Sequence, residues 1–132
     1  MVRILVIDDD PTVRHVVRRF LEAEGYEVCE AVDGTTALQV ISGQVIDLVI
    51  TDVYMPGMDG VEFASRLAQQ SPRPKAIAMS GGGHRDAGDV LDIARRMGVA
   101  ATLEKPVRRE ELLQVVSAVI AGSAGGPPPR TQ

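Results

Sequence analysis

The chain has 132 residues, is 45% hydrophobic and 24% charged, and carries a formal net charge of −4. These values suit one soluble globular domain with a sizeable core and remove the electrostatic case for nucleic acid or an anionic membrane as partner. The single cysteine, Cys29, excludes an internal disulfide and suits a reducing, cytoplasmic setting, and no apolar run approaches membrane-spanning length.

Five short apolar runs alternate with five helical patterns. The first predicted strand, residues 3–8, carries Ile4-Leu5-Val6-Ile7 straight into Asp8, which is too short and too acidic for a signal peptide. Asp10 can cap the first helix and Pro11 suits its first turn. Gly25 is placed to stop that helix in a left-handed conformation. The second strand, residues 26–31, alternates through Val28 and Glu30 and reads as an edge; Cys29 within it reads as a buried, inert thiol. Asp33-Gly34 forms a turn before the second helix, and Gly43 follows that helix. The third strand, residues 46–51, is nearly continuous in apolar residues, as a parallel strand covered on both faces would be. Asp59-Gly60 opens the third helix, which fades before Pro72 and Pro74.

The fourth strand, residues 75–80, ends in Ser80 and the run Gly81-Gly82-Gly83. Val90, Ile93, Ala94 and Met97 mark a fourth helix at helical spacing, with Gly98 after it. The fifth strand, residues 100–104, leads into Lys105-Pro106. The fifth helix runs from near Arg109 to Gly122. Its apolar set (Leu112, Leu113, Val115, Val116, Val119, Ile120) spans a broad arc that reads first as a wide core contact, with margins at Val115 and Ile120 that offer a partner contact or a homodimer. The paired arginines 18–19, 95–96 and 108–109 read as solvated helix faces. The domain is expected over residues 1–121. The tail, residues 122–132, has Gly125-Gly126-Pro127-Pro128-Pro129 and no periodicity, so it reads as disordered or polyproline-like.

Strict βα alternation with short loops implies right-handed crossovers and a parallel sheet, an α/β class. Every functional candidate then sits at the C-terminal end of a strand: Asp8 and Asp9, Asp52, Ser80, Lys105. In open α/β sheets ligands bind at that rim. Carboxylates crowded from neighbouring strands repel one another unless a cation neutralises them. A few oxygen ligands suit Mg²⁺, which keeps several waters and accepts a phosphate oxygen. A lysine nearby can pair with a carboxylate at rest and with a phosphoryl oxygen afterwards. A hydroxyl can hold another phosphoryl oxygen. Phosphoryl transfer needs in-line positioning and charge neutralisation, and carboxylates serve as nucleophiles forming aspartyl-phosphates. The set describes a Mg²⁺ site with a phosphorylatable aspartate.

The segments Ile4-Leu5-Val6-Ile7-Asp8-Asp9-Asp10-Pro11, Thr51-Asp52-Val53-Tyr54-Met55-Pro56-Gly57-Met58-Asp59-Gly60, Ala78-Met79-Ser80-Gly81 and Leu103-Glu104-Lys105-Pro106 together resemble the receiver domains of two-component response regulators. The resemblance covers residues 2–121. It implies a flavodoxin-like (βα)5 doubly wound sandwich with strand order 2-1-3-4-5, and a cis bond between Lys105 and Pro106. It implies a phosphoryl group taken onto Asp52 from a sensor histidine kinase or a histidine phosphotransfer protein. It also implies Mg²⁺ held by Asp9, Asp52 and the backbone carbonyl of Tyr54, with Asp8 acting through a metal-bound water. Ser80 would be the switch hydroxyl and Lys105 the phosphate contact. The fourth helix, fifth strand and fifth helix would form the output surface. Thr102 stands where many members carry an aromatic residue, Val107 departs from the residue often found after Lys-Pro, and Tyr54 lies where the family tunes phosphate lifetime.

Two other readings compete. Asp8-Asp9-Asp10-Pro11-Thr12 also fits the Asp-x-Asp-x-Thr signature of haloacid-dehalogenase-type phosphatases. Those enzymes need a further acidic pair at a later strand end, whereas Glu110-Glu111 fall in a helix start. The second is a receiver-fold adaptor that works without regulated phosphorylation, against which the intact acidic, serine and lysine positions argue.

Overall fold

The computed structural model describes residues 1–53, 60–81, 95–96 and 98–122. Five strands, β1 (Arg3–Ile7), β2 (Glu27–Ala31), β3 (Leu48–Asp52), β4 (Lys75–Ser80) and β5 (Ala101–Glu104), form one sheet of order β2-β1-β3-β4-β5. Every pairing is parallel, and β2 is an edge, as its alternation predicts. The described helices are α1 (Pro11–Ala23), α2 (Gly34–Gly43), α3 (Gly60–Leu67) and α4 (Arg109–Ile120). The predicted fourth helix, the glycine run beyond Gly81 and the tail beyond Gly122 lie outside the described residues. Among the described residues, no helix is long and apolar enough to cross a membrane.

Alternation along the strands feeds two cores, one per face. Ile4 and Val6, Leu48 and Ile50, Ile77 and Met79, and Leu103 meet Val17 and Leu21 of α1 and Leu112, Val116 and Val119 of α4. Leu5, Ile7 and Val49 meet Ala37 and Ile41 of α2 and Phe63 and Leu67 of α3. A strand covered on both faces has no polar face to display. This is why β3 is buried at all five positions.

The local signals act as their chemistry requires. The Asp10 carboxylate accepts from the Thr12 N–H at 2.8 Å, with Pro11 opening α1. Asp33 does the same for α2 through the Thr36 N–H at 2.8 Å. Gly25 takes φ +92° after α1, a conformation that a Cβ makes costly. The Lys105–Pro106 bond is cis, as is Ser71–Pro72.

Three expectations change. Gly43 is the last residue of α2 rather than the residue after it. Cys29 is half-buried, not buried, because β2 has a neighbour on one flank only. Arg18 leaves the solvated face: its Nε donates to Glu22 and its Nη1 to Glu30, at 2.9 and 2.8 Å. The broad arc of the last helix is a wide core contact, with Leu113, Val115 and Ile120 half-buried against the core.

Candidate functional site

Parallel register brings the polar strand ends together. Ile7 stands opposite Thr51, Asp52 opposite Met79, and Ser80 opposite Glu104. One residue beyond Ile7, Asp8 therefore comes level with Asp52. By pleat parity Asp8 continues the column of Val6, Asp52 that of Ile50, and Lys105 that of Leu103. All three columns belong to the face covered by α1 and α4, so the charged residues converge above one core layer. Ser80 falls on the opposite pleat from Met79.

The Lys105 ammonium sits between two carboxylates. Its Nζ is 2.7 Å from Asp8 Oδ2 and 3.2 Å from Asp52 Oδ2, where it donates a hydrogen bond. Asp8 is 0% exposed and Asp52 9%. Asp8 Oδ2 makes no directed hydrogen bond; its short contact with the ammonium is an ion pair. The other oxygen, Asp8 Oδ1, accepts from the Asp10 N–H at 2.9 Å. Burial pushes the Asp8 carboxyl above its ordinary range, although Lys105 and the Asp10 N–H pull the other way. Burial is also the largest influence on Lys105, where it favours the neutral amine. Asp8 and Asp52 together outweigh it, so the ammonium is held above its ordinary value.

The third carboxylate, Asp9, is exposed at the rim. One oxygen from each of Asp8, Asp9 and Asp52 lies within 4.8 Å of the others. Three carboxylates thus face one ammonium, and their donor atoms are all oxygen. That excess of negative charge with hard ligands and one buried, undirected carboxylate oxygen fits a divalent cation of the Mg²⁺ type. Asp8, Asp9 and Asp52 could hold it. Tyr54, expected to add its carbonyl, lies outside the described residues.

Ser80 reaches the group through its backbone: its carbonyl accepts from the Lys105 N–H at 2.8 Å. This bond sets where the lysine leaves the sheet. The Ser80 side chain is half-buried at the rim. Thr51, buried beside the cluster, donates its hydroxyl to the Asp52 carbonyl at 3.0 Å. Thr102 is exposed on β5. Glu110 and Glu111 lie exposed in the first turn of α4, so they do not form the acidic strand-end pair a haloacid-dehalogenase-type phosphatase would need.

The sequence reading missed one residue. Arg14, on α1, donates its Nη1–H to the backbone carbonyl of Asp8 at 2.8 Å and its Nε–H to Glu30 Oε1 at 2.9 Å. The available signal was weak: an arginine one turn into the helix after the acidic pair, with Glu30 near the end of the edge strand.

Comparison with known proteins agrees with this fold. The family model described as the response regulator receiver domain matches residues 4–117. PilH of Pseudomonas aeruginosa is 32% identical over 125 residues, covering 92% of this chain and 100% of PilH. The transcriptional regulatory protein FixJ of Bradyrhizobium diazoefficiens is 35% identical over 118 residues, covering 89% of this chain and 56% of FixJ. The chain spans a small part of some curated relatives: 17% of the sensor kinase/phosphatase CqsS of Vibrio cholerae and 6% of the sensor protein EvgS of Escherichia coli. Among solved structures, the chemotaxis response regulator CheY4 of Vibrio cholerae aligns with a TM-score of 0.79 at 30% identity, covering 90% of this chain and 98% of that one. A response regulator receiver domain protein of Clostridium thermocellum aligns with a TM-score of 0.80 at 30% identity, covering 93% and 97%.

Proposed function

Because the chain belongs to the response regulator receiver domain family, we propose that it is phosphorylated on Asp52 in a Mg²⁺-dependent reaction and thereby switches a protein-interaction surface. The phosphoryl donor is a sensor histidine kinase or a histidine phosphotransfer protein. The observation that carries the reading is the arrangement of Asp8, Asp9 and Asp52 around the Lys105 ammonium.

Asp52 is the nucleophile: its carboxylate is at the rim, and its strand is locked between β1 and β4. Attack of one Asp52 oxygen on phosphorus expels the donor's nitrogen, and the other oxygen stays free for a counter-charge. Asp8, Asp9 and Asp52, with Tyr54 as the fourth residue the family resemblance implies, would hold Mg²⁺, and the cation would supply neutralisation of the phosphoryl oxygens. Lys105 exchanges its contact with Asp52 for a phosphoryl oxygen. That exchange is electrostatically favourable, since a phosphoryl group carries more charge than the carboxylate it replaces as partner. Ser80 donates its hydroxyl to another phosphoryl oxygen. A ligand shifts a conformational equilibrium only through such differential contacts.

The output surface is the fourth predicted helix, β5 and α4, with self-association of the chain as one of its uses. On this reading the receiver domain catalyses at most its own aspartyl phosphorylation and dephosphorylation. The reading is tested by mass measurement after incubation with acetyl phosphate and Mg²⁺. Wild type should gain one phosphoryl group, lost on chelation of Mg²⁺ beforehand, and Asp52→Asn should gain none. A phosphorylated Asn variant of equal yield and lability would refute the assignment. No modification of wild type under any donor would leave the adaptor reading.

A further inference from the structure

The Asp8–Asp9 peptide lies where the sheet can no longer hold it. The β1 ladder ends at Ile7, and the last backbone bond on that side is from the Asp8 N–H to the Ala31 carbonyl at 3.2 Å. The Asp8 carbonyl lies beyond the ladder, and Arg14 Nη1 takes it at 2.8 Å. On the other side of Asp9, the Asp10 N–H is held by Asp8 Oδ1 at 2.9 Å. The exposed Asp9 carboxylate is thus set by two restrained peptides, and one restraint is a side chain from α1.

Arg14 is itself fixed. Its Nε donates to Glu30 Oε1 at 2.9 Å, and Arg18 Nη1 occupies Glu30 Oε2 at 2.8 Å. Arg18 is tied in turn to Glu22 at 2.9 Å. The Arg14 side chain is 15% exposed. A guanidinium can serve a carbonyl and a carboxylate at once in a fixed fork, which an ammonium cannot match.

We infer that Arg14 is a positioning residue for the acidic site: by clamping the Asp8 carbonyl from a guanidinium anchored on Glu30, it fixes the Asp8–Asp9 peptide and so presents the Asp9 carboxylate to a bound cation. The inference rests on the reading of the cluster as a Mg²⁺ site. Two plainer accounts give different results. In one, the network only staples α1 to the edge strand. In the other, Arg14 only offsets the negative charge of the cluster.

The test is a Mg²⁺ titration of the full chain by calorimetry in metal-free buffer, with thermal unfolding in chelator recorded alongside. Saturable binding by wild type is required; its absence overturns the cation site and the inference together. Given wild-type binding, Arg14→Gln should bind Mg²⁺ about tenfold more weakly, the scale seen when a group that orients a metal ligand is removed. Arg14→Lys should be weakened comparably. Unchanged affinity in Arg14→Gln overturns the inference and leaves a staple. Full recovery in Arg14→Lys overturns it as well and leaves a charge effect. Should Arg14→Gln fail to fold, Glu30→Gln keeps the guanidinium and loosens its anchor. Its Mg²⁺ affinity should then fall severalfold, and an unchanged value overturns the clamp.

Discussion

Replacing Lys105 with methionine removes the one cation that the described residues place between two buried carboxylates. Asp8 Oδ2 and Asp52 Oδ2 lie 2.7 and 3.2 Å from Nζ, and the two side chains are only 1% and 12% exposed. Removing one member of a buried ion pair costs about 3–5 kcal/mol, because the remaining charge stays desolvated. The lower end applies, since Asp8 is already biased by burial toward its neutral form and can protonate further. A loss of about 3 kcal/mol corresponds to a fall of about 12 °C in the melting temperature of a domain this size. The assay is thermal unfolding by circular dichroism in chelator, repeated with excess Mg²⁺, which should stabilise the variant more than wild type. The pH response follows from sign. A carboxyl whose folded-state pKa is raised contributes stability fully present below the unfolded value, about 3.9, and lost as pH rises through the folded value. Without the ammonium the Asp8 carboxyl should rise further, so the variant's deficit should shrink as pH falls from neutrality. A variant melting within about 2 °C of wild type in chelator, a shift of only about 0.5 kcal/mol, would refute the electrostatic argument. So would a deficit independent of pH.

Other consequences can be checked on the same chain. Lys75 donates Nζ–H to the Val119 carbonyl at 3.1 Å, capping α4 from the first residue of β4, so Lys75→Met should lower stability by about 1 kcal/mol in urea unfolding. Hydrogen bonds from Arg18, then Arg14, hold the Glu30 carboxyl below its ordinary range against the effect of burial. Its stabilisation is present above the unfolded value of about 4.3 and lost as pH falls through the folded one. Glu30→Gln should therefore be about 1 kcal/mol less stable than wild type at neutral pH and converge with it in acid. If the Tyr54 ring shields the phosphoryl group from in-line water, Tyr54→Ala should lose phosphate faster than wild type in a mass-decay series; equal or slower decay would show the ring to be a bystander.

Most of the fold was legible because parallel strands buried on both faces leave nearly continuous apolar runs, as in residues 4–7 and 48–50. The ends of the first helix were legible because Asp10 and Gly25 satisfy local needs, whereas Asp33, read only as part of a turn, also caps α2. The strand starts were read early by up to two residues. Ile46 is buried in the second core and looks like strand, yet the chain joins the sheet only after the Asp47 N–H has bonded to the Arg3 carbonyl at 2.9 Å. Hydropathy reports burial, while a strand begins where the ladder does. The acidic cluster was legible for a related reason: a polar residue that ends a buried apolar run must come out at the sheet's rim, and parallel topology gathers those ends.

What stayed hidden is how the rim is held. Arg14, Arg18 and Lys75 are long cations, and their sequence contexts look the same whether they are solvated or joined to another element. Arg14 meets Glu30 across 16 residues and Lys75 meets Val119 across 44. Only the register of β2 against β1, which sets Val6 opposite Glu30, brings Glu30 beside α1 and the end of β1 at once. The consequence is a division of labour along the chain. Strand-end residues carry the charges that chemistry would use, and helix-face residues one layer away decide where those charges point. Substitutions in the second group, and at the strand residue Glu30 that anchors it, should therefore alter cation affinity and stability in different proportions, and the Arg14 and Glu30 variants measure that ratio.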